Sequence, residues 1–245
     1  MQTDLIRDIV RKTVVIPHGH ERLRREVANL RQLEQTGIVP RILQQTANSL
    51  DLEYIDGQSM ADWLRLQSDW CTAPPPITQA SERLRAYVAL EMRLLQAGVM
   101  YRDLNLQHVI FTPQSVRIID LEAAEYNPRG DIWRVTNRRG TYETMAPEEF
   151  VLGGLLTPRT ATYRVAVVAH LALAGQLPFR FMPGSRRKVY QWRRNHPPEV
   201  SSLLPRSVRR VLCAALQPQP VRRHKDPARL LQAISDAYGW SVEVR

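Results

Sequence analysis

Two aspartates in the middle of the chain, Asp103 and Asp120, flank two short apolar runs, Val109-Ile110-Phe111 and Val116-Arg117-Ile118-Ile119. The turn Thr112-Pro113-Gln114-Ser115 separates the runs, so they read as a hairpin. A hairpin returns the chain to the edge it left. One carboxylate then stands in the loop before the hairpin and the other just after it, both at one edge of a sheet. A pair so placed suits a base that activates a hydroxyl next to an acid that binds a metal.

Other elements must hold that edge in place. Residues 4–16 alternate weakly and read as one or two strands ended by Pro17-His18-Gly19. Residues 21–35 read as a helix with Leu23, Val27, Leu30 and Leu33 on one face and Arg22, Arg24, Arg25 and Arg31 on the others. Residues 39–43 and 50–55 read as strands around the polar turn Thr46-Ala47-Asn48-Ser49. Ser59 is placed to cap a following helix. Residues 68–77 are a loop, because Pro74-Pro75-Pro76 cannot donate backbone hydrogen bonds. Residues 79–97 form a long amphipathic helix with Leu84, Tyr87, Val88, Leu94 and Leu95 on one side. Glu91 interrupts that stripe, either at the helix edge or with a buried partner. Gly98 ends the helix. Residues 123–147 form a long segment rich in Arg, Asn and Thr, and 162–174 a buried helix. Residues 183–198 are strongly basic, and 207–216 and 227–238 are closing helices.

A chain of 245 residues, 44% hydrophobic and 24% charged, is long enough for one large domain or two small lobes sharing a cleft. Its formal net charge of +10 favours polyanions: nucleic acid, acidic lipid, a phosphorylated sugar or an acidic protein, unless the basic surface is only solvated. The two cysteines, Cys71 and Cys213, form neither a zinc spacing nor a disulfide framework. The first residues show no signal-peptide pattern. The longest apolar run, residues 165–174, is interrupted by His170 and too short for a transmembrane segment. A cytoplasmic location is expected.

Three stretches carry a resemblance. Tyr101-Arg102-Asp103-Leu104, then Ile119-Asp120-Leu121-Glu122, then Gly140-Thr141-Tyr142-Glu143-Thr144-Met145-Ala146-Pro147-Glu148 resemble the catalytic loop, metal loop and activation-segment end of protein kinases. They stand in the correct order, and the likeness covers nearly the whole chain, best from 50 to 180. It implies an α+β, two-lobed protein kinase-like fold, with a reduced N-lobe at 1–56 and a mostly helical C-lobe at 57–245. It also implies roles. Asp103 orients the acceptor hydroxyl, Asp120 holds magnesium on the phosphates of ATP, and Thr141 braces the catalytic loop. Arg102 would receive a phosphate placed on Thr136, Tyr142 or Thr144. Glu26 pairs with the nucleotide-binding lysine; without the resemblance it would pair with a neighbouring arginine. Lys12, the only lysine before Glu26, is the candidate, with an edge-strand charge as the alternative. In the string Leu52-Glu53-Tyr54-Ile55, Glu53 and Ile55 would offer backbone groups to adenine, with Leu52 behind. Glu148 would pair with Arg223 rather than Arg222.

The departures are specific. His108 stands where most kinases hold a second metal with asparagine, which favours manganese over magnesium. Lipopolysaccharide core sugar kinases show a similar histidine. Asn105 replaces a lysine at the γ-phosphate contact. Leu121-Glu122 replaces Phe-Gly, as in loops similar to those of lanthipeptide-synthetase kinase domains. Ala161 replaces an aspartate that braces the catalytic loop. The first eleven residues hold no glycine, so the phosphate-covering loop is missing or comes from a partner. The resemblance implies an ATP- and Mg2+- or Mn2+-dependent phosphotransferase, most similar to a minimal serine/threonine kinase acting on a protein or anionic acceptor. The alternatives are a pseudokinase scaffold and a lipopolysaccharide-sugar or small-molecule kinase. Nucleic-acid binding comes last, on Arg186-Arg187-Lys188 and Arg193-Arg194 beside Tyr190 and Trp192.

Overall fold

The computed structural model describes residues 1–16, 19–65, 72–179 and 185–240. Pro17-His18, loop residues 68–71 with Cys71, and residues 183–184 of the basic stretch lie outside the described residues. The first two strands, β1 (Gln2–Ile6) and β2 (Ile9–Thr13), form a hairpin closed by Arg7 and Asp8. Arg7 has a left-handed φ of 54°, the twist that suits a two-residue hairpin loop. The helix α1 (Gly19–Leu33) follows and buries Leu23, Val27, Leu30 and Leu33 along one stripe. Strands β3 (Ile42–Gln45) and β4 (Ser49–Glu53) complete an antiparallel sheet of order β1-β2-β4-β3. The strand expected from Val39 starts only at Ile42. Pro40 has no N–H for a ladder, and the Ile38 carbonyl instead accepts from Ile118 N at 2.8 Å, joining this lobe to the next.

The second lobe begins with β5 (Gln58–Ser59) and the short helix α2 (Met60–Leu64), capped by Ser59 Oγ accepting from Asp62 N at 3.0 Å. The long helix α3 (Ile77–Gln96) leads to β6 (Val99–Met100), the hairpin β7 (Val109–Phe111) and β8 (Val116–Ile118), and β9 (Glu125–Tyr126). β7 lies between β5 and β8, with Val109 opposite Ile118 and Phe111 opposite Val116, and β6 pairs with β9. Gly98 turns the chain into β6 with φ 75°, and a Cβ there would stand 2.3 Å from the Asn127 carbonyl. Only glycine meets both demands.

β10 (Trp133–Arg134) and β11 (Leu155–Leu156) form a further ribbon. Four helices close the lobe: α4 (Pro158–Ala174), α5 (Arg186–Asn195), α6 (Arg206–Ala215) and α7 (Pro227–Tyr238). α4 is buried on every side from Thr160 to Ala172, with α3, α6 and α7 packed around it. Each Val or Leu it buries stabilises the lobe by about 1.5–3 kcal/mol, so α4 is the post on which the other elements sit. The architecture is α+β, a small sheet-and-helix lobe ahead of a mostly helical one. No described helix is long and apolar enough to cross a membrane.

Candidate active site

The β7–β8 hairpin brings its two flanks together as its turn requires. Ile119 N donates to the His108 carbonyl at 3.0 Å, closing the hairpin base. Asp120 follows with φ 59°, a left-handed conformation that Asp tolerates better than most residues. Backbone conformations of this kind cluster at functional sites. The sheet lobe supplies the opposite wall. Lys12 of β2 reaches Glu26 of α1 at 2.6 Å and Asp120 at 3.5 Å. Lys12 is therefore a buried bridge between the lobes, not an edge-strand charge.

The electrostatics of this trio are unequal. Burial pushes the Glu26 carboxyl up to about 7, against the pull of Lys12. Its Oε2 has no hydrogen-bond partner among the described residues. Burial opposes charge on Lys12 as well, but Glu26 and Asp120 hold its ammonium above the ordinary lysine range. Burial alone would raise Asp120; Lys12 outweighs it and keeps the carboxylate ionised. Asp120 Oδ1 is buried and, among the described residues, makes no hydrogen bond beyond its long approach to Lys12. That orphaned oxygen is what a metal site needs.

His108 stands beside the Asp120 carboxylate. Its Nε2 lies 3.8 Å from Asp120 Oδ2 and its Nδ1 3.1 Å from the buried Tyr101 hydroxyl. The Tyr101 hydroxyl also reaches the Ile119 carbonyl at 3.4 Å. With the proton on Nδ1 donated to Tyr101, Nε2 keeps a free lone pair. One carboxylate and one imidazole form no three-ligand cluster, and none occurs among the described residues. They fit a divalent ion that takes its other ligands from phosphate and water.

Asp103 sits on the other side of the hairpin. Thr141 Oγ1 donates to its Oδ1 at 2.7 Å, and Thr144 Oγ1 donates to the Leu104 carbonyl at 3.0 Å. Gly140, at φ 133°, lets the segment pass close to Arg102: a Cβ there would stand 2.8 Å from Met145 Sδ. Asn105 uses its Oδ1 to cap the next turn, accepting from Gln107 N at 3.0 Å. No bond among the described residues uses its amide nitrogen, which leaves that group for a phosphate.

At the join of the lobes, Leu52 and Ile55 are buried. Glu53 N donates to the Arg41 carbonyl at 3.0 Å, and its carboxylate takes two 3.0 Å bonds from Arg117. The Arg117 guanidinium draws the Glu53 carboxyl down to about 2. The Glu53 N–H is thus engaged, whereas no backbone bond among the described residues uses Ile55. No glycine-rich hairpin covers the site among the described residues.

One expectation needs correction, and other residues named from the sequence meet their partners. Arg102 is fully buried and not open to a phosphate. Its guanidinium bonds Glu125 at 3.0 Å and the carbonyls of Asn137, Arg139 and Glu149. Of the two alternatives for Glu91, the structure shows the buried partner: it accepts from Tyr87 at 2.6 Å and from Arg164 at 3.4 Å, all buried. The brace expected to weaken at Ala161 is replaced from the next turn of α4. Arg164 also reaches Glu149 at 3.2 Å, and Glu149 lies 4.0 Å from Arg102. Arg223 bonds Glu148 at 2.6 and 2.9 Å. Tyr190 stacks on Phe150 and Trp192 on His196, so both rings already have partners.

Sequence reasoning missed Arg22, Arg25 and Asn29, which line the face of α1 beside Glu26. Arg22 pairs with Glu122, Arg25 bonds the Ala124 carbonyl at 3.1 Å, and Asn29 bonds the Leu121 carbonyl at 2.8 Å. Their spacing of three and four residues was the available signal.

A lysine of the sheet lobe held between a helix glutamate and a metal-loop aspartate belongs to kinases of the protein-kinase fold, whose chemistry is alignment and charge neutralisation. The comparisons give the family. Residues 2–151 match the lipopolysaccharide kinase (Kdo/WaaP) family, and the chain belongs to it. That family is one of kinases. The chain is also similar to serine/threonine-protein kinases drp72 of Corynebacterium efficiens, 26% identical over 185 residues, 75% of this chain and 34% of that protein. It is 26% identical to serine/threonine-protein kinase PknA of Mycobacterium tuberculosis over 140 residues, 57% of this chain and 32% of PknA. With serine/threonine-protein kinase Pkn1 of Myxococcus xanthus the identity is 25% over 207 residues, 80% of this chain and 28% of Pkn1. The chain thus spans about a third of the length of these curated relatives.

Proposed function

We propose that the chain transfers the γ-phosphoryl group of ATP to a hydroxyl on a protein acceptor. The observation that carries this reading is the position of Lys12 between Glu26 and Asp120, at 2.6 and 3.5 Å. Lys12 would meet the phosphates, and Asp120 with His108 would hold the metal, which neutralises phosphate charge when bound. Asp103, fixed by Thr141, orients the acceptor hydroxyl. Ile55 offers its free backbone groups to the base, with Leu52 behind it. Residues 140–150 favour a protein acceptor: Arg193 holds this segment through the Glu143 carbonyl at 2.8 Å and through the Met145 carbonyl. The relatives named as serine/threonine kinases point the same way.

A second reading is a sugar hydroxyl of lipopolysaccharide, supported by the family match and by His108 at the metal face. Labelled-phosphate transfer separates the readings. Wild type is offered ATP with magnesium or manganese, and either a serine/threonine peptide library or a lipopolysaccharide core acceptor. Peptide labelling is expected, with Asp103→Ala and Asp120→Ala each reduced about 10²- to 10⁴-fold. Labelling of the sugar alone moves the assignment to the second reading. Equal incorporation by all three proteins would trace the activity to a contaminant and leave the chain a scaffold.

A further inference from the structure

Glu125 lies where three parts of the machinery meet. Its carboxylate is buried on β9, opposite Met100 of β6, the residue that leads into the catalytic loop. Oε1 accepts from Arg102 Nη1 at 3.0 Å, Thr136 N at 2.8 Å, Thr136 Oγ1 at 3.0 Å and Asn137 Nδ2 at 3.1 Å. Oε2 accepts from Arg25 Nη2 at 3.2 Å and Thr136 Oγ1 at 2.8 Å. One carboxylate thus gathers a guanidinium from α1, a guanidinium from the catalytic loop, and the backbone and side chains of the segment that follows the metal loop. Many kinases order this segment with a phosphorylated hydroxyl set against arginines. Here an acid encoded in the chain occupies the arginines.

We propose that Glu125 is a positioning residue that takes the place of an activating phosphate, so that α1, the catalytic loop and the activation segment assemble without modification. The proposal rests on the phosphotransfer reading for its consequence, but not for its geometry. Of the three residues that the sequence nominated for phosphorylation, Thr136 and Thr144 have their hydroxyls engaged and Tyr142 has its ring packed. Thr136 faces Glu125 and also approaches Arg25 Nη1 at 2.9 Å. Thr144 is buried on Leu104. Tyr142 packs its ring against Phe150, with Arg186 over it. A phosphate on Thr136 would set a second anion against the Glu125 carboxylate and loosen the assembly. The neighbouring clamp points the same way: Glu122 holds Arg22 of α1 and, at 2.7 Å, Arg139 of the segment.

The test is a charge-transfer cycle at two positions. Wild type, Glu125→Gln, Thr136→Asp and the double variant are prepared, treated with phosphatase, and checked by mass for absence of phosphate. Amide exchange over 19–33 and 121–140 is measured beside peptide phosphorylation. Unphosphorylated wild type is expected to be fully active and protected. Glu125→Gln loses kcat by about a hundredfold through misplacement of the catalytic groups, and α1 exchanges faster. Thr136→Asp alone also loosens α1, whereas the same change in the Glu125→Gln background restores protection and most of the rate. That reversal of sign is a coupling that general damage to packing would not produce. Wild type that needs phosphate on Thr136, Tyr142 or Thr144 to work overturns the proposal, as does α1 exchange unchanged by Glu125→Gln. If no protein transfers phosphate, the phosphotransfer reading fails, and the exchange cycle still decides the role of Glu125.

Discussion

Two of the glutamates that pair with a basic residue, Glu148 and Glu26, are built in opposite ways. Glu148 is saturated: Arg223 grips both of its oxygens, and Thr160 Oγ1 adds a bond at 2.8 Å. The remaining Arg223 donors reach the carbonyls of Gln217, Arg159 and Pro218, and its guanidinium lies 4.8 Å from the Tyr163 ring centre. Glu26 has one strong bond, from Lys12, and a second oxygen with no partner among the described residues. Buried polar groups are normally matched, so Arg223–Glu148 behaves as scaffold and Lys12–Glu26–Asp120 as a site held short of completion. The contrast separates a pair whose bonds are complete from one whose bonds are not, the mark of a candidate site.

Breaking the saturated pair has the largest effect on stability. Arg223→Ala leaves Glu148 largely buried without its charge partner, a loss of about 3–5 kcal/mol. For a chain of this size each kcal/mol lowers Tm by about 2–4 °C. Lys12→Met is expected to cost only about 1 kcal/mol, because Glu26 can take up a proton and stay buried as the neutral acid. It should nevertheless abolish stabilisation by ATP and metal in thermal unfolding. Equal destabilisation by the two substitutions would remove the distinction between scaffold and site.

How much of this was legible in the sequence depends on the distance over which each signal acts. The β7–β8 hairpin and the two aspartates beside it follow from local alternation and turn residues, and the stripe of α1 from its period. The partner of Glu91 was not legible. Arg164 lies 73 positions away on a helix whose apolar composition says only that it is buried. Glu125 stands in a stretch without local periodicity, and its value lies in arginines from two other elements. The loss of an aspartate at Ala161 was visible, but its replacement from Arg164 and Glu149 depends on which helix faces come together. Long-range charge pairing leaves little trace in a single sequence.

The same contrast has a pH signature of intermediate size. Glu26 titrates in the fold near 7, above the ordinary carboxylate value of about 4.3. Between those values the folded chain binds more protons than the unfolded one, so stability falls as pH rises through that window. Lys12, Asp120 and Glu122 are the charges that act on it. Urea unfolding from pH 4 to 8 should show a decline on the order of 2–3 kcal/mol that Glu26→Gln flattens. The pairing with Lys12 runs in the opposite direction, since it requires the ionised acid. Nucleotide stabilisation should therefore improve while intrinsic stability declines. A Glu26→Gln protein with an unchanged pH profile would place the titration elsewhere.

The smallest effect concerns the choice of metal at the unsaturated site. The imidazole Nε2 of His108, 3.8 Å from Asp120 Oδ2, is a poor ligand for magnesium, which prefers oxygen, and a better one for manganese. Turnover with manganese should exceed that with magnesium by about an order of magnitude, the scale on which a change at the metal shell acts. His108→Asn should bring the two metals together by raising the magnesium rate. Tyr101→Phe, which removes the hydroxyl facing Nδ1, should weaken manganese binding without reversing the preference, because it frees the ring orientation but keeps the ligand. Equal or better turnover with magnesium in wild type would exclude His108 from the metal face and leave Asp120 as the carboxylate that holds the ion.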